Sequence, residues 1–83
     1  MDRERLKLRI DKTEKALEAY YDAELAIVGG AQSYSVGSRS LTRANLAEVR
    51  KTIADLENLL ENLKNQLEGR GRNRMIKGVP LDS

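Results

Sequence analysis

Hydrophobic residues in the second half of the chain recur at alternating intervals of three and four residues. This spacing gives three full heptads and is typical of a helix that packs one apolar face on another helix. Thr42 suits the N-cap and Gly69 suits the C-terminal end, whereas Asn45 stands where a capping box favours Glu or Gln, so the box is predicted to be partial. The pattern therefore predicts a helix over residues 42–68. Its seam consists of Leu46, Val49, Ile53, Leu56, Leu60, Leu63 and Leu67.

A less regular apolar stripe predicts another helix over residues 2–28. Asp2 can cap its start, and Gly29 can end it in the left-handed conformation. The stripe is interrupted because Thr13 and Glu24 fall on the same face. Its apolar members are Leu6, Ile10, Leu17, Tyr20, Tyr21, Ile27 and Val28.

Larger side chains alternate with serines between the two helices, namely Tyr34, Val36, Arg39 and Leu41. A two-residue turn at 37–38 would pair position 36 with 39 and position 34 with 41. It would also place Tyr34, Val36 and Leu41 on one face. We therefore expect a small β-hairpin over residues 32–41 that packs on the helices, the alternative being an irregular Ser/Gly loop.

These elements predict a mostly helical α+β fold, in which an antiparallel helical hairpin carries a small two-stranded β-hairpin between its helices. We expect residues 1–69 to form a single domain and residues 70–83 to form a flexible, extended basic tail. The charges favour the antiparallel orientation. The basic first half of helix 1 would face acidic residues of helix 2, namely Asp55, Glu57, Glu61 and Glu68. At the other end the expected pairs join Glu18, Asp22 and Glu24 to Arg43, Arg50 and Lys51.

The tail contains most of the net positive charge. The chain has 15 basic and 13 acidic residues, for a net charge of +2. Residues 70–83 have a net charge of +3, because they contain Arg70, Arg72, Arg74 and Lys77 but only one acidic residue, Asp82. Residues 1–69 have a net charge of −1. A short basic end of this kind is either a solvated, disordered segment or an arm that becomes ordered on an acidic or phosphate-bearing partner.

The composition argues against catalysis. The chain has no Cys and no His, which excludes disulfides, Cys- or His-ligated zinc and haem, and the commonest general base. Glu14 and Glu18 are one helical turn apart, as are Glu57 and Glu61, but such pairs without His favour a solvated face over a metal site. We expect no enzyme activity, no metal and no cofactor.

A chain of 83 residues has a small core, worth roughly 3–5 kcal/mol. Leu8, Leu25 and Leu59 lie off the main stripes, so we expect the protein to self-associate or to lie against a larger partner. The sequence contains no membrane-length apolar run and no signal peptide, so we expect a soluble cytoplasmic protein.

The stretch from Leu25 to Leu60 resembles the phage head–tail joining family typified by the lambda W protein. Its hairpin-to-helix core, QSYSVGSRSLTRANLAEVRK at residues 32–51, also resembles a small uncharacterised prophage family. The resemblance extends over most of residues 16–80. It implies two antiparallel helices with a hairpin between them.

The same resemblance implies a function and partners. Such a protein would be a bacteriophage virion component that completes the head. About twelve copies would form a ring under the portal protein, bridge it to adjacent connector or tail proteins and help to retain packaged DNA, with no membrane contact. The protein would reside in the host cytoplasm before assembly. A partner-binding tail would include Arg70, Arg72, Arg74, Met75, Ile76, Lys77, Val79, Pro80 and Leu81.

Two other functions stay open at this point. The first is a nucleic-acid-binding module whose basic tail contacts phosphates. The second is a generic antiparallel coiled-coil interaction protein, for example half of a dimeric four-helix bundle. The hairpin favours the connector, since a simple bundle would use a shorter polar loop.

Overall fold

The computed structural model describes residues 2–69, and the predicted tail lies outside them. The helices are antiparallel, with a two-stranded antiparallel sheet between them in the chain, which confirms the predicted fold class. In order, the elements are α1 (Arg3–Val28), β1 (Ser33–Val36), β2 (Arg39–Thr42), a 3-10 turn (Arg43–Asn45) and α2 (Leu46–Leu67).

The caps of α1 explain where this helix begins and ends. The Asp2 carboxylate accepts a hydrogen bond from the Arg5 backbone N–H at 2.8 Å. At the other end the left-handed residue is Gly30, with φ +112°, and not Gly29 as predicted. The backbone N–H of Ala31 donates to the Ala26 carbonyl, which is the 6→1 hydrogen bond of a Schellman motif. The left-handed residue of this motif therefore lies one position later in the chain than predicted.

The β-hairpin has the predicted register. Val36 is paired with Arg39, and Tyr34 with Leu41. Gly37, with φ +61°, occupies the first position of the two-residue turn, where a left-handed residue is needed. The alternative of an irregular loop is therefore wrong.

The start of α2 is more fully capped than predicted. The side-chain oxygen of Asn45 accepts a hydrogen bond from the backbone N–H of Thr42 at 2.9 Å, so the capping box is present with Asn in the place of Glu or Gln. The first turn after Thr42 is a 3-10 turn, and regular α-helix begins at Leu46.

The core lies mainly at the end of the helical pair that carries the β-hairpin. Its cluster of buried side chains draws on both helices and β2, and Tyr34 and Val36 of β1 pack against it. The cluster consists of Leu17, Ala23, Ile27, Leu41, Val49 and Ile53. Of the predicted α2 seam, Val49, Ile53 and Leu63 are buried and the other four members are half-buried.

The buried face of α1 differs from the predicted stripe. Tyr21 and Val28 are exposed, whereas Ala23, which is not part of the predicted stripe, is buried. Thr13 is buried on the face where the sequence places it. Ala23 is buried because the β-hairpin packs on the C-terminal half of α1 and rotates the covered face away from Tyr21 and Val28. Thr13 is tolerated because its hydroxyl donates to the Arg9 carbonyl at 2.7 Å.

Candidate interaction surfaces

Three large apolar side chains form an exposed stripe on α1. Tyr21, Leu25 and Val28 follow one another at intervals of four and three residues, so they share one side of the helix. Their exposed fractions are 42%, 75% and 51%. Leu8, at 54%, lies several turns away near the start of α1. The apolar stripe, as we call residues 21, 25 and 28, is therefore concentrated near the β-hairpin.

A shallow groove runs between α1 and α2 beside the apolar stripe. Leu17 and Leu60 contribute its apolar part, and Tyr21 belongs to both the groove and the stripe. Glu57, Glu61 and Glu68 line it with carboxylates. The volume of the interhelical groove is about 480 Å³. It combines apolar and acidic surface, which suits a ligand with both apolar and cationic groups.

Electrostatic contacts hold the walls of the interhelical groove together. The Tyr21 hydroxyl donates a hydrogen bond to the Glu57 carboxylate, and this bond raises the pKa of Tyr21. Lys64, the cation among the lining residues, lies 3.4 Å from the Glu14 carboxylate. Since that ammonium group already has an anionic partner, carboxylates dominate the charge that the groove presents.

An ion pair joins the β-hairpin to α2. Arg39, one of the predicted hairpin residues, approaches the Glu48 carboxylate at 2.7 Å. The hydrogen bond and charge of Arg39 lower the pKa of Glu48, and the same contact raises the pKa of Arg39. Both side chains are about half exposed, so this contact orients the β-hairpin more than it stabilises the fold.

The ion pairs between the helices agree with the predicted charge pattern at one end only. Near the β-hairpin, Arg50 binds Glu24 at 2.8 Å, as predicted. Towards the other end the ion pair joins Glu14 of α1 to Lys64 of α2, with signs opposite to those predicted there. Arg3 instead donates to the backbone carbonyl of Leu67 at 2.9 Å.

The predicted site residues fall into three groups. The seam residues and Leu41 contribute to the interior, whereas Arg39 lies at the surface and forms an ion pair with Glu48. The predicted tail, including Arg70 and Leu81, lies outside the described residues. Sequence reasoning missed the interhelical groove, because it assigned Tyr21 to the buried stripe and Glu57 to a solvated face, whereas these two side chains meet.

Residues 2–69 contain no cluster of three or more acidic, His or Cys side chains placed to hold a metal ion. Neither helix of this part of the chain is long and apolar enough to cross a membrane.

Residues 1–83 match the sequence profile of one protein family, described as a family of unknown function, DUF6148. The chain belongs to this family. No curated protein and no solved structure matches the chain. Because the family description names no activity, the resemblance to head–tail joining proteins stays a prediction.

Proposed function

We propose that this protein is a structural virion subunit, a head–tail connector that forms a ring under the portal and bridges head to tail. The observation that carries the proposal is the exposed apolar stripe of Tyr21, Leu25 and Val28 beside the β-hairpin. The β-hairpin and the start of α2 are formed by residues 32–51, the core of the resemblance to head–tail joining proteins.

The dimensions of the body support a subunit that neighbours complete. Its Cα positions extend over 45 × 28 × 14 Å, so it is a thin slab with little interior. A small core gains stability when a partner binds only the folded state. In a ring each subunit presents one surface to one neighbour and a different surface to the next. The apolar stripe supplies one such surface.

Substitutions at two exposed leucines test the proposal in assembling particles. Leu25→Asp places a charge in the stripe and should exclude the subunit from particles, leaving heads without tails. Leu8→Asp is the matched control, since it has the same chemistry at an exposed position outside the stripe, and it should be incorporated normally. Circular dichroism should show wild-type helix content for both variants.

Three results would overturn the proposal. DNA-filled heads joined to tails in particles that lack the protein would remove the connector function. A stable dimer or tetramer of the isolated protein, dissociated by Leu25→Asp in the ultracentrifuge, would favour the generic helical bundle. A salt-dependent affinity for DNA that disappears when residues 70–83 are removed would favour the nucleic-acid-binding module.

A further inference from the structure

We propose that residues 70–83 bind, within the same chain, in the interhelical groove between α1 and α2. Their cationic side chains would face the carboxylates of the groove, and their apolar side chains would cover Tyr21 and Leu60. The inference stands on three observations: the chemistry of the groove, the composition of the segment and the place where α2 ends. It does not depend on the proposed function.

The interhelical groove offers two kinds of surface side by side. Leu60 is half-buried and Tyr21 is 42% exposed, so apolar area stays available to a ligand. Glu57 and Glu61 lie one helical turn apart on α2 and line the same groove. Glu57 accepts from Tyr21, but a carboxylate has about four acceptor sites and can bind a cation as well.

The C-terminal segment has the complementary composition. Residues 70–83 carry four basic side chains against the single acidic side chain of Asp82. Apolar side chains accompany them at Met75, Ile76, Val79 and Leu81. A segment that combines cationic and apolar groups matches the acidic and apolar surface of the groove, and charge-assisted contacts would favour it over an uncharged peptide.

The end of α2 lies beside the groove. Helix α2 ends at Leu67, and Gly69 follows with φ +75°, the left-handed conformation that turns a chain away from the helix axis. Glu68 lines the groove, so residue 70 follows two positions after a residue of the groove lining. From there to Glu57 the helix extends about 17 Å, and fourteen extended residues reach about 46 Å.

The short connection favours the chain's own segment over that of a second copy. A ligand tethered directly beside its site has an effective concentration in the millimolar range, which exceeds micromolar concentrations of a second chain. Intramolecular binding should therefore prevail in dilute solution.

Paramagnetic relaxation measurements on the full chain test this inference. The chain has no cysteine, so Ser83→Cys provides a single position for a nitroxide spin label. If the segment lies in the groove, the amide signals of Tyr21, Glu57 and Glu61 should lose intensity in the labelled chain. Mixing spin-labelled, unenriched protein with unlabelled ¹⁵N-enriched protein should leave the same signals unchanged, because the contact is intramolecular.

Charge reversal supplies the matched variants. Glu57→Lys combined with Glu61→Lys should restore the lost signals, because it replaces attraction by repulsion. Asp55→Lys changes charge on the same helix but outside the groove lining, so it should preserve the signal loss. Added salt should weaken the effect by screening.

Several results would overturn the inference. Signal loss confined to the end of α2 would indicate a segment that is tethered but not bound in the groove. Signal loss of the groove amides in the mixed sample as well as in the labelled chain would make a second copy the occupant. Equal signal loss in the groove variant and in Asp55→Lys would show that the carboxylates of the groove do not recognise the segment.

Discussion

The two ends of the helical pair are built differently. At one end the β-hairpin adds a third layer, and Ile27, Leu41 and Val49 become fully buried where α1, β2 and α2 meet. At the open end, as we call the end where α1 begins and α2 finishes, the described residues include the two helices alone. Leu6 and Leu63 are buried there but belong to no larger cluster.

This difference shows what a small third element contributes. Two helices enclose a single narrow seam, so side chains on either flank of the seam stay in contact with water. Four-residue strands are too short to be stable alone, but they cover one flank and bury Ala23 and Ile27 completely. The β-hairpin end should therefore be the stable part of the fold, and the open end the part that opens first.

The largest expected effect comes from a charge in the main cluster. Ile53→Asp would place a carboxylate among the apolar side chains of that cluster, at a position only 8% exposed. We expect the domain to unfold, because burying an unpaired charge costs more than the roughly 3–5 kcal/mol available from so small a core. Loss of helical circular dichroism would show it.

Leu67→Asp is the matched change at the open end. Leu67 is half-buried in the last turn of α2, so the new carboxylate can reach water when this turn frays. We expect the variant to stay folded, with faster amide hydrogen exchange near Leu67. Equal loss of helix content in both variants would contradict the comparison of the two ends.

Cavity-forming substitutions should give a smaller difference in stability loss between the two ends. Leu41 and Leu63 are both leucines and are 0% and 1% exposed. Replacement of either by Ala should lower the free energy of unfolding by about 2–5 kcal/mol. We expect Leu41→Ala to cost more, because three elements hold its surroundings in place, whereas two helices can move together around position 63.

Urea denaturation of both alanine variants measures this difference. We expect the denaturation midpoint of Leu41→Ala to fall further below that of the wild type than the midpoint of Leu63→Ala does. A larger loss for Leu63→Ala would reverse it and would make the open end the more rigidly packed part.

Much of this architecture could be predicted from the sequence, because local rules determine it. The seven-residue seam of α2 repeats without an error, so its helical face was unambiguous. The β-hairpin register followed from a two-residue turn at Gly37, since turn length determines which residues are paired.

The buried face of α1 could not be predicted in the same way. Two adjacent pairs, Tyr20–Tyr21 and Ile27–Val28, fit a three- and four-residue spacing equally well. The structure buries Ile27 and leaves Val28 exposed, and the packing of the β-hairpin makes this choice. Local periodicity carries no information about which side of α1 the β-hairpin will cover, so the interhelical groove was missed, and of the apolar stripe only Leu25 was expected at the surface.

Substitution at the turn should weaken the β-hairpin end by a modest amount. Gly37 has φ +61°, and a side chain at this position would meet no atom within 4 Å. The cost of Gly37→Ala is therefore conformational, roughly 1–2 kcal/mol for a left-handed residue with a Cβ atom. Chemical denaturation would measure the cost, and the substitution should accelerate hydrogen exchange more in the β-hairpin than at the open end.

Gly37→Asn is the control for this change. Asn adopts the left-handed conformation more readily than Ala, so its loss of stability should be smaller. A cost for Asn equal to or greater than that for Ala would show that the backbone conformation of the turn is not the cause.

The smallest expected effect concerns the ion pair between the β-hairpin and α2. Arg39 lowers the pKa of Glu48, so the folded protein holds this carboxylate ionised more strongly than the unfolded chain does. The resulting stabilisation is present above the ordinary pKa of Glu and is lost as the pH falls through the lowered pKa of folded Glu48.

NMR titration of the Glu48 carboxyl group should give a midpoint below the ordinary glutamate value. In Arg39→Gln the midpoint should rise, and the stability difference from the wild type should vanish in acid. Since both side chains are about half exposed, salt should reduce the difference too. An unchanged Glu48 midpoint in Arg39→Gln would show that this contact does not hold the β-hairpin on α2, and the apolar packing of Tyr34, Val36 and Leu41 would then distinguish the β-hairpin end from the open end.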